Sequence, residues 1–207
     1  MTKNMINAAA VAVLMVVGTA SAATVEATSA TTVSGGLTVS VTVLKAIRLK
    51  LEKGTGCDIT GASSPFAMDF GSVDALGISD GACAGAGAGK IAPTTPGTDS
   101  AVYYTDYKIT PIFTNQALVK AEVTAYVSSA FSGPSTVLKL KDGAASTSLA
   151  DLSTTVGTPT SITGASGVDN NTVVTRYLGV AVSPTNSTTA TVSGASSATI
   201  TYTMTMK

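Results

Sequence analysis

The chain has 207 residues, with 12 Lys and Arg against 12 Asp and Glu, no histidine and no tryptophan, and only 12% of its residues are charged. Such a balance offers no basic surface for neutralising phosphates, so nucleic acid is not an expected partner. Without histidine the usual catalytic triads and the commonest zinc ligand are gone, and no spacing of Ser, Lys or paired carboxylates marks a cleft; the chain reads as a non-enzyme with no cofactor and no metal.

The opening "MTKNMINAAAVAVLMVVGTASA" carries Lys3, an apolar run over residues 8–17 and the small-residue sequence Ala20-Ser21-Ala22. This is the pattern of a cleaved signal peptide over residues 1–22, and the run is too short to cross a bilayer. Secretion is the expected route. The remainder is long enough for one domain with a sizeable core, or two small ones.

Next comes "TTVSGGLTVSVTVLKAIRLKLEKGTGC", residues 31–57. Apolar side chains occupy nearly every odd position from Leu37 to Leu51, while most even positions are Thr, Ser, Arg, Lys or Glu. An alternation of that length outruns an ordinary strand of about three to ten residues. Cys57 and Cys83 both follow the leader and meet an oxidising compartment, which favours an intrachain disulfide over free thiols or an intermolecular link.

"PFAMDFG" places Phe66, Met68 and Phe70 at spacing two, and residues 80–96, rich in Gly and Ala, are expected to form a long loop. Tyr103, Tyr107, Ile109 and Phe113 predict a strand in which Pro111 argues for an edge or a bulge. Val119, Ala121, Val123, Ala125 and Val127 share one face of a half-buried antiparallel strand. A brief strand follows around Leu138 and Leu140, then a Ser/Thr/Ala/Gly-rich stretch over residues 143–167, then strand character in "NTVVTRYLGVAVSP". Last, "SATITYTMTMK" sets Ala198, Ile200, Tyr202, Met204 and Met206 on one face, opposite four threonines whose β-branching favours extended backbone. No helical period competes after the leader. The fold class is all-β, a sandwich with Greek-key connections.

Several motifs fail on inspection. "GAGAGK" over residues 85–90 lacks the Walker A pattern, because Ala84 and Ile91 stand where Gly and Ser or Thr are needed. Asp69, Asp74 and Asp80 do not have EF-hand spacing. Asn170-Asn171-Thr172 and Asn186-Ser187-Thr188 match glycosylation sequons, unsurprising in a Thr/Ser-rich chain.

The residues quoted above support a resemblance to chaperone-usher pathway major pilins. "TTVSGGLTV" resembles their amino-terminal donor-strand region. "IRLKLEKGTGCDITGAS" followed by "PFAMDFGSV" resembles the first-strand and cysteine region of archaic-pathway pilins related to spore-coat U-like domains. The segment 198–206 is similar to pilin carboxyl-terminal strands.

The resemblance implies an incomplete immunoglobulin-like sandwich completed by a donor strand from a neighbour. Residues 23–43 would be the donor extension, with Val33, Leu37, Val39, Val41 and Val43 as inserts and Gly35 at a close approach; residues 44–207 would be the pilin-like domain. Ile200, Tyr202, Met204 and Met206 would line the accepting edge. It further implies a structural subunit of a pilus or fimbrium serving adhesion or biofilm formation. The partners would be identical subunits, a periplasmic chaperone and an outer-membrane usher, with a host-surface or matrix ligand also possible. The alternatives from other classes are a secreted monomeric carbohydrate-binding or adhesin sandwich, for which Tyr103, Tyr104, Tyr107 and Tyr126 are candidate platform residues, and a matrix fibre protein independent of an usher.

Overall fold

The computed structural model of the protein describes residues 4–6, 15–17, 40–41, 46–61, 66–81, 83–114, 119–132, 137–184 and 195–207. The chain divides into two compact units, Met1–Thr42 and Val43–Lys207. In the first, β1 (Asn4–Ile6) and β2 (Met15–Val17) pair antiparallel within the segment read as a leader. Of the expected donor residues, Val33, Gly35, Leu37, Val39 and Val43 lie outside the described residues, and Val41 is exposed.

The second unit is built of strands: β3 (Ala46–Lys53), β4 (Ile59–Thr60), β5 (Ala67–Met68), β6 (Ala88–Ile91), β7 (Ala101–Thr114), β8 (Ala121–Ser129), β9 (Leu138–Gly143), β10 (Ala150–Asp151), β11 (Thr160–Ser161), β12 (Val174–Val182) and β13 (Thr199–Met206). A six-stranded antiparallel sheet runs β10-β9-β12-β7-β3, with β6 also on β7; a second sheet runs β11-β8-β13, and β4 pairs with β5. Apolar residues from both larger sheets meet in one core, including Tyr103, Tyr107 and Ile109 of β7, Val123 and Ala125 of β8, and Leu178 and Val180 of β12. The arrangement is all-β and sandwich-like.

The fourteen-residue β7 organises the larger sheet. One of its edges pairs with β12 from Ala101 to Ile109. The other edge is shared end to end by β6, against Val102 to Thr105, and β3, against Tyr107 to Thr114. Pro111 lies in a strand that is central lower down, but β12 pairs only as far as Ile109, so the proline nitrogen faces a flank with no strand, a local edge position of the kind the sequence suggested. Its missing N–H does no harm because β12 has already ended at that level. There Asn171 donates its backbone N–H to the Pro111 carbonyl, and the Asn170 side-chain oxygen accepts from the Phe113 N–H at 2.8 Å.

Where β3 and β6 meet along β7, the Asp106 carboxylate takes the place of ladder bonds. It accepts the N–H groups of Thr55 at 2.7 Å and Gly56 at 2.9 Å and the Thr55 hydroxyl, while the Asp106 N–H donates to the Gly87 carbonyl. Cys57 N–H donates to the Thr105 hydroxyl beside it, and the Cys57–Cys83 disulfide, with Cα atoms 4.8 Å apart, ties this segment covalently to the stretch ahead of β6. Closing a loop of this separation stabilises the fold by about 3 to 4 kcal/mol in the chain-entropy account.

This seam explains the "GAGAGK" stretch, which is not wholly a loop: its second half is β6. A Cβ on Gly87 would strike the Asp106 carboxylate, and one on Gly89 would meet the Tyr104 hydroxyl at 2.6 Å. Close packing, not mobility, requires these glycines.

The adjoining loop is ordered by Asp74, which accepts the N–H groups of Leu76, Ile78 and Ser79 and the Tyr103 hydroxyl. These bonds, Ser79's above all, hold its carboxyl down at about 2 against desolvation. Asp69 closes a turn at Gly71 and Asp80 pairs with Lys90 at 2.6 Å. The three acids serve separate turns, and no group of metal-ligating side chains assembles among the described residues.

Replacing Asp106 with Ala leaves the N–H groups of Thr55 and Gly56 without their acceptor. We expect a loss of about 2 to 4 kcal/mol in denaturant unfolding with the disulfide intact; Asp106→Asn, which keeps one acceptor oxygen, should lose less. Equal stability of Asp106→Ala and the parent would contradict the clamp.

Candidate functional site: an open seam between two strand edges

The two long sides of the sandwich differ. On one side the segment 150–168 passes from sheet to sheet and satisfies both. Leu152 N–H donates to the Leu140 carbonyl, Ser153 accepts from the Val127 N–H, Ile162 N–H donates to the Val123 carbonyl, and Val168 exchanges bonds with Ala121. Leu152 and Ile162 are buried beneath it. That side is closed.

On the other side stand β3 and β13, each eight residues long and each the last strand of its sheet. In an antiparallel ladder the N–H and C=O of one residue point to the same side, and successive residues alternate. Asp106 bonds toward β6, while Pro111 and Phe113 bond toward the Asn170 loop. Even-numbered residues of β7 therefore serve the β3 side. Because Arg48 lies opposite Ile112 and Lys50 opposite Thr110, those two carry the bonds to β7. Ile47, Leu49 and Leu51 turn their backbone groups outward.

The same parity applies to β13. The odd residues Ala121, Val123 and Val127 of β8 bond toward the segment 150–168, so the even residues serve β13. Thr201, Thr203 and Thr205, opposite Tyr126, Thr124 and Glu122, take those bonds. Ile200, Tyr202, Met204 and Met206 are left with outward N–H and C=O groups. Among the described residues nothing pairs with either edge.

The side chains of these outward-bonding residues lie on the core side of their sheets. Leu49, Leu51, Ile200, Tyr202 and Met204 pack partly buried against the core, and Ile47 remains 60% exposed. Between the edges is an open groove of about 340 Å³ lined by Ile47, Arg48, Leu49, Tyr202, Thr203 and Met204. Two unpaired edges and apolar walls together make a slot for an extended chain.

Beneath the groove lies a buried polar network. The Tyr202 ring packs edge-on against Tyr107 of the opposite sheet, with centroids 6.2 Å apart. Tyr107 donates its hydroxyl to Asp142 at 2.8 Å, and Arg176 donates Nε to the other Asp142 oxygen at 2.9 Å. Desolvation pushes the Asp142 carboxyl up despite Arg176 and Tyr107, and it pushes the Tyr107 hydroxyl well above the ordinary phenol range. Tyr202 is partly exposed as a residue, yet its hydroxyl end is desolvated and its pKa is also raised.

The structure brings Tyr202 and Met204 together with β3, packs Ile200 against the core, and joins Cys57 to Cys83. It does not bring the four candidate tyrosines together as a platform: Tyr103 and Tyr107 are core residues. The Tyr104 and Tyr177 rings form an inclined pair at 69°, not a flat stacking surface. Sequence reasoning missed Asp142 and Arg176, although both break apolar inward runs, Leu138-x-Leu140-x-Asp142 and Val174-x-Arg176-x-Leu178. No protein-family model, curated protein or solved structure matches the chain.

Ile200→Asp places a carboxylate on the groove-lining face and should lower thermal stability by an amount equivalent to about 2 kcal/mol or more. Thr201→Ser, which keeps the hydroxyl that bonds Ser128 at 2.9 Å, should be nearly neutral. Equal melting of the two variants would contradict the assigned face.

Proposed function

We propose that this protein is a structural subunit that polymerises head to tail, the segment 31–43 of one copy completing the seam between β3 and β13 of the next. The observation that carries this reading is the one-sided opening of the sandwich: both edges of the seam present backbone donors and acceptors, and the same residues supply apolar walls. An inserted strand would bond to both edges while alternate side chains entered the groove. The odd-numbered residues Val33, Leu37, Val39, Val41 and Val43 have the required spacing and character, with Gly35 at a point of close approach.

If four of the larger residues are fully buried at about 1.5 to 3 kcal/mol each, the gross apolar gain is about 6 to 12 kcal/mol before ordering costs. Donor segment and acceptor groove are different surfaces, so the contact propagates as a filament instead of closing a symmetric dimer. In this reading the sandwich is immunoglobulin-like and incomplete, and residues 1–22 direct export. A periplasmic chaperone protects the seam before assembly, an usher organises the filament, and the surface polymer serves adhesion or biofilm architecture. The resemblance to chaperone-usher pilins supports these finer points.

The test removes residues 23–43 and adds a synthetic peptide of residues 31–43. The truncated domain should be secreted, remain unpolymerised, and gain thermal stability on binding the peptide. Asp at positions 39 and 41 of the peptide should abolish binding, whereas Asn at 38 and 40 should matter less. A stable truncated domain that ignores the peptide, together with full-length protein that stays monomeric at high concentration, would overturn the proposal in favour of a monomeric secreted module. Assembly without chaperone and usher would replace the pilin with a matrix fibre.

A further inference from the structure

An empty apolar groove between two sheets is prone to collapse, because bringing its walls together removes apolar surface from water. Yet β3 and β13 stand apart across about 340 Å³. The core beneath them is not wholly aliphatic, for it carries Tyr107 among its Val, Ile and Leu side chains. Tyr202 reaches the opposite sheet through Tyr107, whose hydroxyl is held by Asp142, and Asp142 is held in turn by Arg176. The Asp142 side chain is 1% exposed and that of Arg176 13%.

For stability alone this is a poor use of the interior, since a buried ion pair is often replaced without loss by apolar groups of similar volume. Its distinguishing property is rigidity of placement. A desolvated carboxylate cannot give up its partners to let neighbouring side chains slide together, because each abandoned group would remain buried and unpaired. The three side chains come from three adjacent strands, β7, β9 and β12, and so fix Tyr107 against the sheet that bears them.

We infer that the Tyr107–Asp142–Arg176 network is a spacer: it fixes the ring on which Tyr202 rests, and so keeps the seam wide enough to accept a strand. Its members are positioning residues, acting through Tyr202 on a groove they do not line. The inference rests on the proposed strand-accepting function and adds the device that keeps the acceptor receptive.

The experiment uses the full-length protein held dilute and a fluorescent peptide of residues 31–43, read by anisotropy alongside thermal unfolding. Asp142→Leu combined with Arg176→Met should melt at or above the parent temperature. It should nevertheless bind the peptide roughly tenfold more weakly or worse, as expected when the receptive state falls to about a tenth of the population. Amide exchange at Leu49 and Tyr202 should slow in this variant without peptide, reporting closure of the edges, a change that a merely structural role would not produce.

Tyr107→Phe, which keeps the ring and removes its tether, should show the same split in smaller degree; it serves as the test if the double variant does not fold. Arg176→Lys, which preserves a cation, should retain binding. Parent-like peptide affinity in a folded double variant, or in folded Tyr107→Phe, would overturn the spacer while leaving strand acceptance intact. No binding by the parent protein would instead overturn strand acceptance, and the spacer with it.

Discussion

Backbone pairing at the sheet edges is the constraint on which this structure turns. Every N–H and C=O of a strand needs a partner or water, and this fold meets that need unequally. The long strand β7 is paired along both sides, by β12 and the Asn170 loop on one and by β6 and β3 on the other. The Asp106 carboxylate bridges the break where β6 gives way to β3. A crossing segment closes one side of the sandwich, while the edges of β3 and β13 remain without partners among the described residues.

Electrostatics reinforce this division between what is fastened and what is left open. Asp74 holds its loop as an ionised acceptor of backbone N–H groups, with its carboxyl lowered to about 2. Its contribution to stability is present above the ordinary carboxylate range and is lost as pH falls through its folded value. Asp142 has the opposite sign. Burial raises its pKa, so its contribution is fullest at acid pH and declines as pH rises through its folded value. A carboxylate that ionises against its own stability beneath the groove fits a geometric role better than a stabilising one.

Much of the architecture was legible in period-two patterning, because strands with one buried face must alternate. The inward residues of β8, Ala121, Val123, Ala125 and Val127, and the inward face of β13 follow directly from their sequence spacing. The disulfide was legible from the presence of two cysteines behind a leader-like segment, a pattern that led to the expectation of an oxidising route. Strand β6 was not, because Ala and Gly carry little strand propensity, and Gly87 just before it and Gly89 within it answer to the remote Asp106 and Tyr104. Pro111 marked a local edge correctly, but that the edge lies within an otherwise central strand depends on where β12 ends, a tertiary fact. The opposite wall of the seam was only half legible: alternation marks Leu49 and Leu51 as inward, but nothing local places them across from Tyr202.

Amide hydrogen exchange on monomeric and assembled protein tests the open seam most directly, since parity assigns a different fate to neighbouring residues on the same strand. In the monomer, Arg48, Lys50, Thr201 and Thr203 should already be protected, while Ile47, Leu49, Tyr202 and Met204 exchange quickly. Assembly should protect this second set and leave the first nearly unchanged. Protection of Ile47, Leu49, Tyr202 and Met204 in the monomer, or no change there on assembly, would contradict an open seam completed by a donated strand.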